Sequence, residues 1–238
     1  MSELESGIAV SAGGTGRPTL LLAHGAWHGS WCWEGLTSVL HTDGWTTRTV
    51  DLPSAGSQAG VRDDAHVVLQ ELARIDGPVV VVAHSYGGVP VTQAVAGATD
   101  ISHIVYLAAY QLDVGESLLS HHGAPAPAEP DGFQPVPEHP IPLFYADAPA
   151  ADAEAAAGRL VPQSTRSFSD TLTAAGWHTV PSTYVVCEQD QALPPGDQEQ
   201  LAARSGSVHR LASGHSPFLS MPGEFAALLA KIASEAAG

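Results

Sequence analysis

The 238-residue chain carries 25 acidic and 9 basic side chains, a formal charge of -16, with one lysine, Lys231. That balance excludes the basic surface a nucleic acid or an anionic membrane requires, and the length is that of one domain with a substantial core. Cys32 and Cys187, the only cysteines, sit in aromatic or apolar surroundings, the setting of reduced core thiols and not of a disulfide framework or a metal site. The acidic N-terminal residues lack the basic start of a secretory leader, and no apolar run reaches membrane-spanning length, so a cytoplasmic protein is expected.

Residues 8–10 have the composition of an edge strand, and glycines 13, 14 and 16 with Pro18 mark the turn that follows. Residues 19–22 are a second strand. It leads into His24-Gly25-Ala26-Trp27-His28-Gly29-Ser30-Trp31-Cys32-Trp33, a loop of small residues whose free backbone N–H groups can hold an anion. His24 and His28 read as loop histidines bonded to the backbone. Trp31 and Trp33 are expected to pack a helix over residues 30–41, with Leu36 and Leu40 on its buried side. Residues 45–50 form the next strand, ending at Asp51, which reads as the anchor of its own Pro-Ser-Gly turn. Val68, Leu72 and Ile75 recur at helical spacing before the Gly77-Pro78 stop.

Val79 to Val82 are four consecutive β-branched residues, apolar on both faces, as in a central parallel strand covered on both sides. The run ends in Ala83-His84-Ser85-Tyr86-Gly87-Gly88, a GxSxG elbow with Ala for the first Gly. A strand turning sharply into a helix needs tiny neighbours, and it presents its turn residue to the N–H groups of the helix start. Pro90 lies about one turn into that helix, where a missing N–H is just tolerable. Residues 91–96 continue the helix and residues 101–108 form a further strand. Strands and helices alternating at this spacing make an α/β fold with a mostly parallel sheet flanked by helices.

The rhythm breaks over residues 111–181. This Pro- and Ala-rich insertion, with a short helix expected over residues 150–160, has enough apolar side chains (Phe133, Leu143, Phe144, Phe168, Leu172) to dock as a cap within a single domain. The pattern then resumes as strand 183–187, helix 195–203, strand 207–211 and an amphipathic helix over residues 223–233.

A serine is a weak nucleophile without a base, the base needs an orienting acid, and the oxyanion needs donors. Ser85 is the nucleophile candidate, with His215 as base and Asp190 as acid, each just past a strand end. The oxyanion donors are the N–H groups of Ala26 and Tyr86. Glu188 is a second choice for the acid and Asp113 a third. Among the other histidines, His84 should point away from Ser85, while His121, His122, His139 and His178 could touch substrate. Trp27, Tyr110 and Leu112 are candidate pocket walls.

Together, HGAWHGSWCW, DLPSAG, AHSYGG, CEQDQALPP and SGHSPF resemble the α/β-hydrolase superfamily, and within it the group of bacterial esterases, plant methylesterases and hydroxynitrile lyases. The motifs span residues 24–217. The resemblance implies a Ser85, Asp190, His215 triad, the Ala26 and Tyr86 oxyanion hole, and no cofactor. Hydroxynitrile lyases of this group carry a lysine after the catalytic histidine and a threonine in the oxyanion loop; here Ser216 and Gly25 stand in those places. The expectation is a serine esterase acting on a small or medium apolar ester or lactone, as a monomer or homodimer. A lyase or carbon–carbon hydrolase on the same triad, and a non-catalytic small-molecule receptor, are the alternatives.

Overall fold

Apolar runs become strands almost where their composition places them in a computed structural model that describes residues 16–237. The edge strand expected at residues 8–10 lies outside the described residues. β1 (Thr19–Ala23), β2 (Thr47–Val50), β3 (Val79–His84), β4 (Ile101–Leu107), β5 (Ser182–Cys187) and β6 (Ser207–Leu211) form one sheet in the order β2-β1-β3-β4-β5-β6, every neighbouring pair parallel. β3 and β5 are buried along their whole length, which is why Val79 to Ala83 read as an unbroken apolar run instead of an alternating one.

Helices cover both faces. On one side α1 (Glu34–Thr42), the turn before it and the C-terminal helix α6 (Pro222–Glu235) bring Trp33, Leu36, Leu40, Phe225 and Leu229 onto Leu20, Leu22, Val80 and Val82. On the other, α2 (Val61–Leu72), α3 (Gly88–Val95) and α5 (Pro195–Ala202) bring Val68, Leu72, Val91 and Leu201 onto Leu21, Val79 and Val81. Each such aliphatic side chain contributes about 1.5–3 kcal/mol when fully buried, so neither face of β3 tolerates a polar residue without a partner. Cys32 and Cys187 are free thiols inside this core.

Chain order decides where the site forms. From β1 the chain steps outward to β2, then crosses back over β1 to β3 and proceeds in one direction to β6. The loops leaving β1 and β3 therefore turn toward opposite faces, and a crevice opens between them at the carboxyl ends of the strands. Ala23 is level with Ala83 in the register, so the two loops start side by side.

Several boundaries differ from the expectation. The helix expected at residue 30 begins as a 3-10 turn, Ser30–Trp33, before α1. Trp33 packs in the core at 4.6 Å from Phe218. Trp31 turns outward instead: it stacks on His28, and the Arg159 guanidinium lies 4.7 Å above its ring. Pro90 is the third residue of α3, where an N–H would have had no partner inside the helix. Asp51 does not tie its own turn. Its carboxylate accepts from the N–H and hydroxyl of Ser30 at 2.6 and 3.0 Å, pinning the exit of the β1 loop.

Residues 111–181 contain short pieces only. They are helical turns at Leu118–His121, Pro140–Phe144 and Thr165–Ser169, the helix α4 (Ala150–Ala157), a 3-10 turn at Gly176–His178, and an antiparallel ribbon pairing Phe133–Gln134 with Gln163–Ser164. Phe144, Tyr145, Ala153 and Ala156 form an apolar cluster against Trp27, Trp31, Ala192 and Leu219. The segment thus packs over the loops at the carboxyl ends of the strands.

Candidate active site

Ser85 follows β3 directly and has φ +52°, a left-handed conformation that a side-chain-bearing residue adopts only when its surroundings hold it there. The surroundings are tight. A Cβ on Gly87 would stand 2.5 Å from the His24 carbonyl oxygen, and one on Gly25 would stand 2.9 Å from Cβ of Ser85. Small residues at these positions let the β1 loop and the elbow touch.

Asp190 and His215 come together from the loops after β5 and β6. His215 Nδ1 donates to Asp190 Oδ2 at 2.7 Å, and both side chains are buried. The carboxylate accepts three more N–H donors: Ala192 and Leu193 at Oδ1 (2.7 and 3.0 Å), and Gln198 Nε2 at Oδ2 (2.9 Å). With all four partners donating, Asp190 serves as an acceptor only and fixes His215 as the tautomer whose Nε2 carries a lone pair. The hydrogen bonds of the described residues include none between Ser85 Oγ and the His215 ring. Such contacts are often long in a free enzyme and tighten with substrate.

The His215 loop is braced from two sides. His84 Nε2 donates to the His215 carbonyl oxygen at 2.9 Å, and the Gly214 N–H donates to Asp147 Oδ2 at 2.7 Å. Desolvation by burial holds the His84 ring well below its ordinary pKa, so it is a neutral strut.

Ala26 and Tyr86, whose N–H groups are the expected oxyanion donors, line the same cavity as Ser85. Each N–H belongs to a planar peptide whose carbonyl is held on the far side. His24 Nδ1 donates to Gly25 O at 2.8 Å, and the Tyr110 N–H donates to Ser85 O at 3.1 Å. Fixing those carbonyls aims the trans N–H groups the opposite way. His28 does the same for the next peptide, donating from Nδ1 to Ala26 O at 2.7 Å. Desolvation lowers the pKa of both histidines, that of His28 to about 3, so both stay neutral. The reading of His24 and His28 as loop-shaping residues agrees with this geometry.

The cavity over Ser85 measures about 130 Å³ and is lined by Trp27, Tyr110, Leu118, Phe144, Phe168 and Leu193 among others. Larger clefts lie elsewhere: one of about 260 Å³ between Leu69 and Asp100 at the amino end of β3, and one of about 410 Å³ beside Trp177. Neither is bordered by Ser85. Leu112 is a correction. It is fully buried in the main core, its carbonyl accepting from Trp177 Nε1, and it does not line the cavity, because the first residues after β4 still pack against the sheet.

The competing candidates separate clearly. Glu188 is exposed, with its N–H donating to the Leu211 carbonyl. Asp113 pairs at the surface with His178 at 2.9 Å, and His122 Nε2 meets the Tyr110 hydroxyl at 2.9 Å. Sequence reasoning missed Asp64, Gln163 and Gln198, all buried. For two of them a signal existed. Asp64 lies on the Val61, Val68, Leu72 stripe of α2, and Gln198 on the Leu201, Ala202 stripe of α5; a polar side chain on a buried stripe needs a partner.

Among the described residues no group of three His, Cys, Asp or Glu side chains is disposed to hold a metal ion, and no helix is long and apolar enough to cross a membrane.

Parallel strands that carry a strained serine, a carboxylate and a histidine, in this chain order, to one sheet edge make an enzyme fold of the α/β-hydrolase type. Residues 20–228 match the alpha/beta hydrolase family, and the chain belongs to it. Pheophorbidase from Raphanus sativus is 30% identical, the match covering 90% of this chain and 93% of that protein. The structure of a methylesterase from Arabidopsis superimposes with a TM-score of 0.78 at 27% identity, over 92% of this chain and 99% of the other. A pyrethroid hydrolase from Sphingobium faniae superimposes with a TM-score of 0.77 at 23% identity, over 91% and 97% of the two chains; that likeness speaks to the fold alone.

Proposed function

We propose that the protein is a serine carboxylic ester hydrolase working through an acyl-enzyme, with Ser85 as nucleophile, His215 as general base and Asp190 as the acid that orients it. The observation that supports this reading is the buried Asp190–His215 pair, held in one tautomer by a carboxylate with four donors, together with the strained Ser85 on the cavity wall. His215 Nε2 takes the Ser85 proton as Oγ attacks the ester carbonyl. The tetrahedral oxyanion lies against the Ala26 and Tyr86 N–H groups. The imidazolium then returns the proton to the leaving alcohol, and water activated by the same nitrogen releases the acid.

The wall residues favour an apolar substrate. A cavity of about 130 Å³ is below the range that encloses drug-sized ligands, so a small or medium acyl group fits best and a larger alcohol portion would extend outward. Residues 111–181 act as a cap, since Leu118, Leu143, Phe144 and Phe168 all come from them. The methylesterase and pheophorbidase names of the relatives support an ester. Gly25 and the buried Ser216 favour hydrolysis over cyanide release, because no cation stands directly after the base and no hydroxyl stands at position 25 of the oxyanion loop.

The test is p-nitrophenol release across esters of increasing acyl length, with wild type and Ser85→Ala in parallel. Turnover of short chains that vanishes in Ser85→Ala is the expected outcome; equal rates in the two proteins would refute the reading.

A further inference from the structure

The residue that flanks the oxyanion donor Ala26 is itself strained. Trp27 has φ +63°, and everything that holds its backbone comes from the insertion: its N–H donates to Gln163 Oε1 at 3.0 Å, and its carbonyl accepts from the Val161 N–H at 2.9 Å. Gln163 is fully buried and uses its other end as well. Its Nε2 donates to the hydroxyls of Ser54 and Ser167 at 2.7 and 2.8 Å. Ser54 in turn donates from its hydroxyl to Asp64 Oδ2 and from its N–H to Oδ1. The Tyr86 hydroxyl donates to the same Asp64 Oδ2 at 2.5 Å.

A single buried chain of polar groups therefore runs Trp27, Gln163, Ser54, Asp64, Tyr86. It starts at the residue after one oxyanion donor and ends on the side chain of the other. We propose that Gln163, Ser54 and Asp64 are positioning residues that lock the two oxyanion N–H groups in register. The proposal rests on the serine-esterase reading for its kinetic consequence but not for its structural one.

The physical case has three parts. A left-handed φ at a tryptophan costs on the order of 1–3 kcal/mol and persists only where neighbours over-determine it, and here two insertion hydrogen bonds do so. Oxyanion donors act only when held at the place where charge develops, so tying them to each other limits the scatter of their separation. Finally, the acceptor at the centre is suited to its task. Desolvation pushes the Asp64 carboxyl up to about 6, although the Ser54 and Tyr86 hydrogen bonds oppose the rise; above that pH it is the anion that three donors require. The proposal gives the insertion a second duty, since Gln163 and Val161 belong to it: it props the loop that binds the oxyanion.

The experiment compares wild type, Gln163→Leu, Ser54→Ala and Tyr86→Phe, with Ser85→Ala as the blank, in three measurements. Steady-state p-nitrophenyl ester kinetics should show kcat lowered about 10- to 100-fold and KM within about threefold, the pattern of an interaction made in the transition state. Affinity for an aryl trifluoromethyl ketone, which presents a tetrahedral oxyanion, should weaken by the same factor as kcat/KM. Amide hydrogen exchange over residues 24–29 should speed up in Ser54→Ala, although Ser54 makes no hydrogen bond to that segment. A merely structural role would lower the unfolding temperature and leave these three readings in place. Unchanged kcat with unchanged exchange in the folded variants overturns the proposal, as does a rise in KM alone. If Gln163→Leu does not fold, the single-hydroxyl variants Ser54→Ala and Tyr86→Phe decide by the same criteria. If wild type shows no Ser85-dependent turnover, the esterase reading fails, and the exchange measurement by itself still decides whether the network is coupled.

Discussion

Replacing Asp190 by asparagine keeps the shape of the acid and inverts one hydrogen bond. Oδ1 accepts two backbone N–H groups, from Ala192 and Leu193, so the amide oxygen must occupy that place. The NH2 group is then left where Oδ2 meets His215 Nδ1 and Gln198 Nε2. It donates to Nδ1, which moves the imidazole proton to Nε2 and removes the lone pair that would receive the Ser85 proton. The imidazolium formed during attack also loses its anion; at an effective dielectric of 20, a unit pair about 4 Å apart is worth about 4 kcal/mol, or about three decades of rate. The wrong tautomer adds about another decade, for a total near 10⁴ in kcat. Stability should change far less. Gln198 Nε2 keeps its bond to the Leu193 carbonyl at 2.6 Å, so the clash costs about 1 kcal/mol and shifts Tm by about 2–4 °C. The assay is ester turnover together with thermal unfolding of Asp190→Asn and Glu188→Gln. Activity within tenfold of wild type in Asp190→Asn, with loss in Glu188→Gln, would refute the reasoning and move the acid to the other carboxylate.

Gly25→Ala places a Cβ 2.9 Å from that of Ser85, which should lower kcat at least tenfold and destabilise by about 1–3 kcal/mol; wild-type kinetics would show that the two loops separate freely. Leu118→Ala and Leu143→Ala enlarge the cavity wall, so the preferred p-nitrophenyl acyl chain should lengthen while acetate turnover stays within about threefold; an unchanged preference would remove the cap from substrate selection. The Asp64 carboxyl, raised by burial to about 6, binds its proton more readily folded than unfolded. Wild type should therefore gain stability over Asp64→Asn as pH falls from 7 toward 4, by about 3 kcal/mol in all, and lose that gain as pH rises through 6. Chemical unfolding of both proteins across that range measures the difference, and a difference that does not vary with pH would contradict it.

Local chemistry made much of this protein legible in its sequence. Four valines in a row followed by Ala83 and Gly87 already state a buried parallel strand and a cramped turn, because both demands act within a few residues. Ser85, Asp190 and His215 stand out for the same reason, each just past a strand, and parallel strands deliver such positions to one edge. What the sequence could not show are partners far apart in the chain. Asp51 looked like the anchor of its own turn, and only the packing of β1 beside β2 brings Ser30 to it. Leu112 and Phe144 have equal claims as pocket walls until the fold sets one in the main core and the other on the cavity wall. Gln163 bonds Ser54 across 109 positions, and no periodicity marks such a pair. Hydrophobic pattern decides which residues leave water, and so the sequence by itself determined the sheet and its elbow. Only the tertiary structure decided which buried polar groups meet, because a hydrogen bond depends on distances that the whole fold must set.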